Sequence, residues 1–93
     1  MYIPVIVVEK RNKHNDLHTT NVRIPGVYDK MEEARLMGSQ FINSYLFDLM
    51  KSDEFIKSGA GTEKDNRTGQ ECVISIVEFE HTVIEIRLFI MAD

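Results

Sequence analysis

The side chains best suited to chemistry stand close together near the end of the chain. Glu78, Glu80, His81 and Glu85 fall within eight residues of one another. Carboxylates beside an imidazole can hold a divalent metal or share general acid–base work. A metal needs three or four ligands converging to within about 2–2.6 Å of one point. A two-stranded tip works against this, because successive side chains of a strand point to opposite faces. Glu78 and Glu80 share one face of their strand, Glu85 lies on the polar face of the next, and Glu80 and His81 diverge. The expectation is a solvated hairpin tip with no bound metal, no cofactor and no enzymatic activity. The alternative is a ligand-binding or enzymatic dimer whose site forms between subunits near Glu78, Glu80 and His81.

The basic run Lys10-Arg11-Asn12-Lys13-His14 is the other polar cluster. Lys10, Arg11 and Lys13 could contact phosphate or an acidic patch on a protein. No aromatic residue interleaves them, as stacking on single-stranded bases favours. The net charge of −4 also opposes generic phosphate-backbone binding. Nucleic-acid binding through this loop therefore stands as a second alternative, and a solvated loop is expected. Ser58-Gly59-Ala60-Gly61-Thr62-Glu63-Lys64 resembles a phosphate loop only superficially. It lacks the GxxxxGK[ST] spacing, and it follows a helix where a phosphate loop precedes one. His14 and His18 read as exposed. Cys72 is the single cysteine, which excludes an intramolecular disulfide and a Cys-based zinc site, and it reads as a small buried hydrophobe.

The elements that must position these residues belong to one domain of 93 residues. Tyr2 to Lys10 reads as a strand. Ile3, Val5 and Val7 alternate with Pro4, Ile6 and Val8, so both of its faces are apolar and it belongs in the middle of a sheet. Residues 17–24 alternate weakly and form a second strand. A long loop is expected over 52–71, where glycines and charges dominate. Strands are expected at 72–80 and 82–91. In the last one, Ile84, Ile86, Leu88 and Ile90 face one way, and Val83, Glu85, Arg87 and Phe89 the other. The apolar start of the chain is too short for a membrane span and lacks a basic lead, so a cytoplasmic protein is expected.

Between the two hairpins runs one helix, expected over 29–51, with Asp29 as N-cap and Glu32 completing a capping box. At 100° per residue, Met31, Ala34, Gly38, Phe41, Ile42, Tyr45 and Leu49 form the core stripe. Leu36, Phe47 and Met50 lie roughly opposite, with Asn43 among them, where a buried polar residue would fix register. The segment from Ile24 to Phe41, with Pro-Gly, an N-cap and Glu-Glu-Ala, is similar in style to many small bacterial and phage proteins.

These elements predict an α+β two-layer ββαββ domain: a small antiparallel sheet with one long helix packed on one face. One helix leaves the second sheet face bare. Either Val73, Val77 and Phe79, or Cys72, Ile74 and Ile76, must then face outward beside Phe89. Exposed apolar surface of that extent marks an interface. The functional expectation is a non-enzymatic protein-binding module, an inhibitor or adaptor, acting as a homodimer or on another protein. Its expected interface residues are Leu36, Asn43, Phe47, Met50 and Phe89.

Overall fold

The last strand is the backbone of the core. The structure, a computed structural model, describes residues 1–64 and 69–93. In chain order it comprises β1 (Tyr2–Asn12), β2 (His18–Arg23), α1 (Met31–Leu49), β3 (Phe55–Lys64), β4 (Glu71–Phe79) and β5 (Thr82–Ala92). The five strands form one sheet in the order β2-β1-β5-β4-β3, and every neighbouring pair is antiparallel. The two most apolar strands, β1 and β5, occupy its middle, as burial of both faces requires.

Register decides which side chains form the core. Ile6 lies opposite Leu88 and Val8 opposite Ile86, while Ile86 also faces Ser75 and Ile84 faces Val77. These residues share one face, with Pro4 and Phe79, and all are buried. Helix α1 closes this face over β1 and β5. Its buried residues are Ala34, Gly38 and Ile42, at the spacing of one helical face. Tyr45, Leu46 and Leu49 pack partly buried against the same cluster. Met31 and Phe41 belong to the expected stripe but lie at its margins and remain exposed.

Gly38 is where helix and sheet come closest. A Cβ there would stand 2.7 Å from Cδ1 of Leu88 and 3.3 Å from Cβ of Pro4. The absent side chain therefore sets the distance between the layers.

The expected four-strand order is corrected to five strands, because β3 occupies most of the segment expected to be a loop. Its side chains do not account for this, since all but Phe55 are exposed. Two other terms do. The β4 backbone would otherwise lie at the sheet edge with its donors and acceptors unpaired. Phe55 also docks edge-on against Phe79, with ring centroids 6.3 Å apart, and so starts the strand at a defined place. Residues 65–68, which fall in the same expected loop, lie outside the described residues. The helix start is corrected as well. Lys30 is the N-cap and no side chain caps the helix, so the Asp29–Glu32 capping box is not formed.

Two substitutions with opposite effects test this packing. Gly38→Val should destabilise the fold by about 1–3 kcal/mol, because it overpacks the closest approach of the two layers. Gly61→Thr should stabilise it by about 0.5–1 kcal/mol. An added Cβ at Gly61 meets nothing within 4 Å, and a β-branched residue restricts the unfolded chain and suits an edge strand. Urea denaturation of the two variants, with unchanged slopes, measures both effects.

Candidate interaction surface

Helix α1 occupies one face of the sheet, and among the described residues no other element lies over the opposite face. Strand parity sends Ile3, Val5 and Val7 of β1 and Phe89 and Met91 of β5 to that open side. For β4, the set containing Val77 and Phe79 points inward, so Ile74 and Ile76 point out. The open face is thus apolar across its three central strands. Its members shade one another and are half-buried, except at the rim, where Val22, Ile76 and Met91 are exposed.

One charged group interrupts this surface. Arg87 lies between Val7 and Ile74 in register. Its Nε donates to Glu63 Oε2 at 3.0 Å and its Nη2 to Glu85 Oε2 at 2.9 Å, while Nη1 lies 3.7 Å from Glu9 Oε1. The side chain is only 20% exposed, and its aliphatic stem continues the apolar surface. Burial works against its charge, but the hydrogen bonds it donates to Glu63 and Glu85, with the charges of those carboxylates, outweigh it and hold the guanidinium's pKa above its ordinary value. The cluster links β1, β5 and β3 across the open face.

Of the residues singled out for chemistry, Glu78, Glu80 and His81 lie at one end of the sheet, whereas Glu85 belongs to the Arg87 cluster. Lys13 Nζ donates to Glu78 Oε2 at 2.8 Å, and Lys57 lies 3.8 Å from the other oxygen. The hydrogen bond from Lys13 pulls the Glu78 carboxyl below its ordinary value of 4.5; partial burial opposes this, and the nearby charges of Lys13 and Lys57 add to it. Glu80 is exposed, and its backbone N–H donates to Glu54 O. His81 reaches across to His14: Nδ1 and Nε2 stand 2.9 Å apart, one ring donating and the other accepting. The Lys13 backbone N–H also donates to His81 O at 2.9 Å. Two loops far apart in sequence are therefore pinned together. Among the described residues, no three His, Cys, Asp or Glu side chains converge as metal ligands.

The expected basic contact loop does not form one patch. Lys10 lies on the helix-bearing face opposite Ile84. Arg11 faces the other way, 4.0 Å from Asp16, and Lys13 is held by Glu78.

The expected interface residues also separate. Leu36, Phe47 and Met50 are 57%, 65% and 42% exposed on the outer side of α1, and Asn43 is exposed among them. The Lys51 ammonium sits 4.6 Å above the Phe47 ring and 3.6 Å from Asp48. Phe89 lies on the far side of the sheet. The expected interface residues therefore lie on two surfaces, back to back. Between α1 and the β3–β4 half of the sheet there is also an open cleft of about 500 Å³, lined in part by Arg35, Ser39, Thr62 and Val73. It exists because five strands span about 19 Å between their outer axes, whereas a helix is about 10–12 Å wide.

In comparisons with known proteins, the chain matches no family model, no curated protein and no solved structure. No described helix is long and apolar enough to cross a membrane.

The corner around Glu78 gives a pH prediction. A carboxyl whose pKa is lower folded than unfolded contributes stability above its unfolded value and loses it as pH falls through the folded value. The contribution of Glu78 should therefore disappear in acid, below its ordinary 4.5. Glu78→Gln should lower the urea midpoint at about pH 6, and less so at about pH 3. An equal loss at both pH values would show that the ion pair is not the cause.

Proposed function

We propose that this protein is a small non-enzymatic binding module of the inhibitor or adaptor kind, which docks on another protein through the open face of its sheet and works as a homodimer. The observation that supports this most strongly is the open face itself. A five-stranded sheet carries apolar side chains on both sides and has one helix to cover them. A contiguous exposed apolar surface on a small chain is costly unless a partner covers it. Polar groups give such a surface orientation and specificity, and here the Arg87 cluster and the Lys13–Glu78 pair lie on or beside it.

Further support comes from how the candidate chemical residues are engaged. Glu78 is taken up in ion pairs, and His14 and His81 are taken up with each other.

The test is recovery of a partner with the tagged full chain, compared across three variants. A genuine partner of the open face should be retained in stoichiometric amount by the wild type and by Phe47→Glu, and lost with Phe89→Glu and with Ile74→Glu. Circular dichroism must confirm that each variant is folded. A partner lost with Phe47→Glu but kept by both sheet variants would move the binding surface to the helix. Near-stoichiometric metal or metabolite on the purified protein, lost with His81→Ala, would favour a ligand site instead.

A further inference from the structure

We infer that two copies of this chain pair through their α1 helices, antiparallel and centred on Asn43. This inference rests on the homodimer part of the proposed function and adds the geometry. It uses the surface of α1 that is exposed among the described residues.

The spacing of the exposed residues carries the argument. Leu36, Asn43 and Met50 follow one another at seven-residue intervals. Seven residues advance a helix by nearly two full turns, falling short by about 20°, so the three lie almost in line. The buried residues Ala34, Gly38 and Ile42 are centred about 140° around the helix from that line, with Ile42 the nearest of them. A second helix on this stripe therefore rests on the upper flank of α1, and its own sheet points away from the first.

The stripe is also symmetric about its middle. In an antiparallel pair crossing at Asn43, Leu36 of each copy is level with Met50 of the other. Asn43 meets its own equivalent on the two-fold axis, so the same patch serves both partners, as a two-fold interface requires. The Asn amide carries both donors and an acceptor, so two copies can exchange hydrogen bonds across the axis. A shift by one turn would set that amide against Phe47 or Gln40 and leave it unpaired, which fixes the register. Phe47 flanks the line and reaches towards Leu36 of the second copy.

Charge selects the antiparallel sense. Glu33 in the first turn and Lys51 just beyond the last turn lie on the same side of the stripe. Antiparallel pairing brings Glu33 of one copy within a turn of Lys51 of the other, at both ends. Parallel pairing would put the two Glu33 side chains on opposite sides of the interface, and likewise the two Lys51 side chains, so no such opposite-charge pair would form. Lys51 already leans over Phe47 at the edge of the stripe. Because only the helix surface is used, both open sheet faces remain available to a target.

Disulfide trapping in the full chain decides the matter, together with sedimentation equilibrium at micromolar concentration. Cys72 is buried and does not compete. Asn43→Cys should cross-link with itself at least tenfold faster than Ser44→Cys, which lies outside the stripe. Leu36→Cys alone and Met50→Cys alone should not cross-link, whereas a mixture of the two should. Phe47→Glu should raise the dimer dissociation constant at least tenfold while circular dichroism stays unchanged. A monomer throughout the concentration range would overturn the homodimer and this geometry together. A dimer in which Leu36→Cys links to itself would leave the homodimer standing and show a parallel pair. A dimer indifferent to Phe47→Glu and unlinked at position 43 would place the contact elsewhere.

Discussion

One helix cannot cover both faces of a five-stranded sheet, and most of what distinguishes this protein follows from that mismatch of areas. Helix α1 lies over β1 and β5, where Ile6, Val8, Ile86 and Leu88 need cover most. Gly38 draws it down until the layers nearly touch. The core is therefore tight but narrow. Among the described residues, two areas beyond its reach are left open: the flank over β3 and β4, and the reverse side of the sheet. The open face is not a defect of packing, since the strands that make it are the same ones that build the core.

Polar groups on the open face are arranged to tolerate exposure and burial alike. Arg87 gathers carboxylates from three strands and needs no external partner to satisfy most of its donors. Its worth to stability is modest, as for other partly exposed ion pairs. Its geometric role is larger, because it ties carboxylates of β1, β3 and β5 to one guanidinium across the open face. Lys13 and Glu78 pair at one end. An apolar sheet face with internally paired charges can be covered without stranding a charge, the condition that buried ion pairs must meet.

Much of this was legible in the residues, and the exceptions share a cause. Alternation in Thr82–Ala92 identified both faces of β5, and the two apolar faces of β1 placed it centrally. The helix and its core stripe followed from period and from the Asp/Glu-rich start, although the cap itself moved to Lys30. β3 was not legible, because a strand that buries almost nothing leaves no apolar period to read. Its only side-chain signal was Phe55, whose partner Phe79 is 24 residues away. The pairing of His14 with His81, and of Arg87 with Glu9 and Glu63, depends on sheet order, which one strand's pattern does not contain.

The His14–His81 contact has a mechanical meaning. It joins the β1–β2 loop to the β4–β5 turn through one hydrogen bond between two imidazoles. The two loops flank the same end of the open sheet, so the spacing between them sets the shape of that rim. The rim is thus held by a clasp between side chains 67 residues apart, so its shape belongs to the sheet as a whole and not to either loop alone.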